Sequence, residues 1–203
     1  MSTSTTTMTL EQCIYKVLEL LENSGKKEHI SGKMTQLDHA LHVANLAMRE
    51  GADEETILAG LLIDISQHDK KQAVQLPTDQ VSSFIPVDRY EADDFIVRKL
   101  GFSNKTCELV ESNIKAKRYL SATDPEYNGY GEGAAIMFVT FRNNPLSPSD
   151  MRNFEMDPLF QQKVQLTKWD DAAAKVTGVK PPALDTYRDM VIRNLLMSKK
   201  TLY

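Results

Sequence analysis

The chain has 203 residues, 41% of them hydrophobic, and a formal net charge of −4. That length allows one domain with a sizeable core. The mild charge, with both signs interspersed, argues against nucleic acid or an anionic membrane as the main partner, and no run approaches the ~20 apolar residues of a membrane span.

Residues 1–8 begin Met1-Ser2-Thr3-Ser4, polar and Thr-rich, and are expected to form a disordered lead rather than a signal peptide. Residues 9–203 are expected to form a single all-α bundle. Ile14, Val17, Leu18 and Leu21 recur at helical spacing, and Asn23-Ser24-Gly25 ends that helix. Thr35 caps a second helix carrying Leu37, Ala40, Val43, Ala44 and Ala47, stopped by Gly51. Asp53 caps a third, with Glu54 and Glu55 in its first turn, running through Leu58, Leu61, Leu62 and Ile65. After a loop containing Pro77 and Pro86, Glu91 to Leu100 is helical and ends at Gly101. Ser103 caps the next helix, which reaches Ala116, and Asp124-Pro125-Glu126-Tyr127 reads as a turn. Gly133 to Phe141 is a short apolar helix, Asp157-Pro158 opens one that reaches Thr177-Gly178, and Leu184 to Ser198 closes the chain. Cys13 and Cys107 fall on apolar faces, so buried reduced thiols and a cytoplasmic location are expected.

The run Leu61-Leu62-Ile63-Asp64-Ile65-Ser66-Gln67 resembles the L-L-H-D-x-G-H motif of the HD superfamily, with Ile63, Ser66 and Gln67 replacing His, Gly and His. Three further stretches carry the likeness: Leu100-Gly101-Phe102-Ser103, Ala116 through Tyr127, and Phe154 through Asp171. Together they resemble the mixed-valent diiron oxygenases of that superfamily that act on phosphonates. The resemblance implies a first iron held at the positions of His39, Ile63, Asp64 and Asp170. It implies a second iron at the shared Asp64 and at the positions of Asp88 and Asn113. The lid positions are His29 and Gly32, and the phosphonate-gripping positions read Ala135, Phe138, Thr167 and Lys117, of which only the Lys matches.

Ile has no lone pair to donate, so the replacements imply that no metal and no cofactor is held, and that the pocket has become neutral and apolar. The leading expectation is therefore a metal-independent enzyme acting on an apolar small molecule, such as a terpenoid or polyketide-like intermediate. Its reaction would be a cyclisation or isomerisation, up to a Diels–Alder-type cycloaddition, accelerated by orientation and one hydrogen-bond donor. The candidate catalytic residues are His39, Asp64, Lys117 and Asp170. The candidate substrate-binding residues are His29, Ile63, Gln67, Asp88, Asn113, Tyr119, Ala135, Met137, Phe138 and Thr167. Two alternatives stand beside it: a non-catalytic ligand-binding pseudoenzyme, and a weak mononuclear iron or manganese oxygenase. The latter uses His39, Asp64 and Asp170, with His68 brought in by a shifted loop.

Each candidate also has a plainer role. His39 acts as proton donor or acceptor, or is a buried His satisfied by an inherited carboxylate. Asp64 and Asp170 lie close together, so one carries a proton or pairs with His39 or Lys117. Lys117 points into the pocket, whereas Arg118 pairs with an acidic neighbour on the surface. Tyr119, Met137 and Phe138 line a pocket wall or belong to the core, and His42 and His68 are solvated. Oligomeric state is left open.

Overall fold

A computed structural model of the chain describes residues 8–24, 26, 34–65, 96–127 and 145–200. The expected lead at residues 1–7 and the helix at 133–141 lie outside the described residues, as do His29, Gly32, Gln67, His68, Asp88, Ala135, Met137 and Phe138.

Eight α-helices and a short 3-10 turn are described: α1 (Leu10–Ser24), α2 (Gln36–Arg49), α3 (Glu54–Leu62), α4 (Asn104–Glu111), α5 (Asn113–Thr123), α6 (Pro148–Glu155), α7 (Phe160–Ala173), the 3-10 turn (Leu184–Tyr187) and α8 (Arg188–Lys200). Residues 96–100 are also helical, and among the described residues there is no strand. The all-α fold class is as expected. The starts follow from local chemistry. Thr35 Oγ1 accepts the Asp38 N–H at 3.1 Å while Asp38 reaches back to the Thr35 N–H, a capping box. Asp53 and Ser103 cap α3 and α4 by accepting the N–H groups of Thr56 and Thr106. Gly51 (φ 76°) and Gly101 (φ 89°) take the left-handed conformation where the chain leaves a helix, as their positions in the sequence suggested.

Helices α2, α3 and α7 pack against one another and form the centre. Helix α4 lies on α3, α5 lies on α7, and α1 and α8 close the outside. Ala40, Ala44 and Ala47 keep the α2 face low, and Gly60 lets α3 come close: a Cβ there would sit 3.0 Å from Val43 Cγ1. Leu58, Leu61, Leu62, Val43 and Leu166 are completely buried or nearly so, each contributing roughly 1.5–3 kcal/mol by leaving water. Cys13 and Cys107 are both buried free thiols, as expected.

Polar clamps fix the outer helices. Asn194 of α8 accepts the Ser103 N–H at 2.9 Å and donates to Thr106 Oγ1 at 3.2 Å. Tyr187, fully buried, donates to the Leu41 carbonyl at 3.5 Å, and burial pushes its hydroxyl pKa up to about 12.

Several boundaries differ from expectation: α3 ends at Leu62, short of Ile65, and α7 ends at Ala173, short of Thr177-Gly178. The helix capped by Ser103 does not run to Ala116; it breaks at Ser112, whose hydroxyl donates to the Leu109 carbonyl at 2.8 Å, and α5 then continues to Thr123. Competition of a Ser hydroxyl for the helix's own carbonyl accounts for the break. Helix α6 is unanticipated, although Ser147 caps it and Pro148 occupies its first position. Asp157 does not cap α7 directly; it accepts the Leu159 N–H in a short turn, and the helix starts at Phe160.

Candidate metal centre

The centre of the site is Asp170 on α7. Its side chain is 7% exposed and each oxygen has its own partners. Oδ1 meets His39 Nε2 at 2.8 Å, from the first turns of α2. Oδ2 meets Lys117 Nζ at 2.7 Å and the Asn113 amide nitrogen at 3.4 Å. Asn113 and Lys117 are one turn apart on α5, which puts both on the face turned to α7. Thr167 Oγ1 lies 3.0 Å from Asn113 Oδ1 and 3.2 Å from the Lys163 carbonyl, and the Asp170 carboxylate turns the amide nitrogen toward itself.

Asp64 sits just past the end of α3, half-buried beside the fully buried Ile63. One ligand atom each from His39, Asp64 and Asp170 lies within 4.8 Å of the others. Metal–nitrogen and metal–oxygen bonds of ~2.1 Å place ligand atoms ~3–4.2 Å apart, so small side-chain adjustments bring these three donors to a single ion. One imidazole and two carboxylates are donors suited to iron or manganese. Asp170 is well prepared as a ligand. Burial pushes its carboxyl pKa up, but the Lys117 ammonium and the His39 hydrogen bond overcome this and hold it well below the usual carboxylate range.

Asp171, next in sequence, behaves oppositely. Burial raises its pKa, Lys117 at 3.9 Å opposes this, and the neighbouring Asp170 charge adds to the rise. The Tyr127 hydroxyl donates to it, and burial together with that negative charge pushes Tyr127 well above the usual phenol value. Neither Asp171 nor Tyr127 was singled out from the sequence; the signal was there, since an Asp-Asp pair on a buried helix face demands a second cation or a donor.

Of the expected site residues, the structure brings together His39, Asp64, Asn113, Lys117, Thr167 and Asp170. It does not bring Tyr119 to them. That ring lies edge-on to Phe154 and Phe160, with its hydroxyl on Glu155 at 2.9 Å. Ile63, 1% exposed, is part of the hydrophobic core rather than an open pocket wall. Asn113 and Thr167 form a hydrogen-bonded support under Asp170 instead of an apolar surface. Arg118 donates to the Pro145 carbonyl at 3.1 Å. His42, expected in solvent, is buried beneath residue 179; desolvation lowers its pKa against the opposing pull of Asp38 and the Val179 carbonyl. Among the described residues, no helix is long and apolar enough to cross a membrane.

Fold and site together define an all-helical protein with a buried histidine–dicarboxylate cluster of metal-ligand type. No family model matches the chain. It is similar to an uncharacterized protein of Acanthamoeba polyphaga mimivirus, at 30% identity over 91% of this chain and 82% of the relative. It is also similar to the hydroxymethylphosphonate dioxygenase of Gimesia maris, at 28% identity over 88% of this chain and 86% of the enzyme. The glycine-betaine-forming 1-hydroxy-2-(trimethylamino)ethylphosphonate dioxygenase of Leisingera caerulea is 27% identical over 86% of both chains. The chain belongs to the HD-type helical family of these relatives.

These findings overturn the metal-independent cyclase or isomerase expected from the sequence. The named relatives are dioxygenases, and the chain keeps a three-donor cluster where an apolar, neutral pocket was expected. Replacement at Ile63 removes one donor. It leaves His39, Asp64 and Asp170 in place.

Proposed function

We propose that the protein is a metal-dependent oxygenase acting on a small organic molecule, with the metal held by His39, Asp64 and Asp170. The observation that carries this reading is the convergence of those three donors within 4.8 Å, in a chain similar to two enzymes named as dioxygenases. A bound iron or manganese would supply Lewis acidity and the means to activate oxygen. The chain's own residues supply the rest. His39 Nε2 and Asp170 Oδ1 are held together at 2.8 Å by their hydrogen bond, side by side at the cluster. Lys117 and Asn113 hold the opposite carboxylate edge, so the Asp170 plane cannot rotate. His39 and Asp170 are themselves buried, at 2% and 5% exposure, which strengthens the charge interaction between them. The substrate is a small molecule whose polar group is gripped differently from a phosphonate bound through Lys117, because that ammonium is engaged with Asp170 and Asp171.

The test is to strip the protein with chelator, reload it anaerobically with Fe(II) or Mn(II), and measure metal content and oxygen uptake across phosphonates and small hydroxy acids. Close to one metal per chain in the wild type, and almost none in His39→Ala, is the expected result. Metal content far below one per chain in the reloaded wild type refutes the proposal.

A further inference from the structure

We propose that the ammonium of Lys117 is a built-in second cation of this centre, and that it limits the site to one divalent ion; the inference rests on the metal-binding reading above. Asp170 has two oxygens with separate duties. Oδ1 is hydrogen-bonded to His39 Nε2 at 2.8 Å, whereas Oδ2 receives N–H donors from Lys117 at 2.7 Å and Asn113 at 3.4 Å. Asp170 could span two ions, one on each oxygen, only if both oxygens were free to face metal. Here the second is occupied by a fixed positive charge.

The Asn113 amide cannot turn round to offer its oxygen to a second ion. Its nitrogen donates to Asp170 Oδ2 at 3.4 Å, and the flipped amide would set oxygen against that carboxylate. Asn113 is 2% exposed, so no solvent would relieve that contact. Ile63 contributes no donor, and among the described residues no other group of three histidine, cysteine or carboxylate ligands comes together.

Charge balance leads to the same count. Among the described residues, Asp64, Asp170 and Asp171 are the carboxylates gathered here, and Lys117 offsets one of them. One divalent ion neutralises the remainder. A second would leave the described cluster doubly positive and would sit against an ammonium that is only 15% exposed, where water screens poorly.

Mn(II) binding tests this, using full-length protein dialysed free of metal. The wild type, Lys117→Met, Lys117→Arg and His39→Ala are compared by calorimetry and by the electron paramagnetic resonance spectrum of bound Mn(II), with helicity checked by circular dichroism. The wild type is expected to bind one ion per chain with no exchange-coupled signal. Lys117→Met is expected to bind its first ion at least tenfold more tightly, because a repelling charge is gone, and Lys117→Arg is expected to stay close to wild type. Two ions or a coupled pair in the wild type overturn the inference, and so does unchanged affinity in folded Lys117→Met. Both of those outcomes leave the metal-binding reading intact. Absence of binding in every protein, wild type included, is the distinct result that defeats that reading first.

Discussion

Replacing Asp170 by Asn is the most direct probe of how the site is held. Asp170 and Lys117 have side chains 7% and 15% exposed and approach to 2.7 Å, so the substitution leaves a buried ammonium facing a neutral amide. Breaking a buried pair by removing one partner costs roughly 3–5 kcal/mol. Asp171, with Oδ1 3.9 Å from the same ammonium, takes over part of the compensation and puts the expected loss near the lower end, ~3 kcal/mol. For a chain of this length, a melting-point drop of ~6–12 °C follows. Urea unfolding in the presence of chelator measures the loss without any contribution from metal. The double variant Asp170→Asn/Lys117→Met completes the cycle. Removing both charges should recover much of the loss, giving a coupling energy of ~2 kcal/mol or more. Coupling within ~0.5 kcal/mol of zero would mean the two groups act independently, and the electrostatic account of the site would be wrong.

Three further outcomes are expected. Burial holds the His42 pKa below 6.5, so the unfolded chain takes up a proton that the folded chain refuses. Stability is thus fully present above pH 6.5 and is lost as pH falls through the folded-state value, by at most ~1.4 kcal/mol per pH unit; a His42→Gln profile as steep as wild type in that window would refute this. Thr35→Ala removes the cap of α2 and should cost ~1 kcal/mol in urea unfolding, with no change in the unfolding slope; no loss would show that the cap is dispensable. Gly60→Val places a branched side chain against Val43 Cγ1 and should destabilise by ~3 kcal/mol through overpacking of α3 on α2, which a neutral result would contradict.

Much of the helical layout was legible because the stops and starts are local chemistry. Thr35, Asp53 and Ser103 cap the helices expected of them, and Gly51 and Gly101 stand where helices were expected to stop. The break at Ser112 was hidden by uninterrupted apolar periodicity, and α6 by its polar composition, even though Ser147-Pro148 with Asp150 is a good helix start. His39, Asp64, Lys117 and Asp170 were found through the resemblance, whereas their mutual contacts span 131 residues in the case of His39 and Asp170 and have no local signal. The expected reaction failed for a specific reason. The leading expectation took the aliphatic side chain at Ile63 as the loss of the metal, whereas His39, Asp64 and Asp170, the donors of the mononuclear alternative, are gathered. Burial of His42 was missed because α2 is covered on nearly all sides, which a one-sided helical pattern does not express.

The interruption at Ser112 has a consequence for how such a protein can change over time. Helix α4 leans on α3 and the core, while α5, which carries Asn113 and Lys117, leans on α7. Foundation and working surface are therefore separate pieces of one stretch of chain. Altered packing around Cys107 or Val110 can be absorbed below the joint, and a new chemistry at positions 113 and 117 can be tried above it, without either disturbing the other.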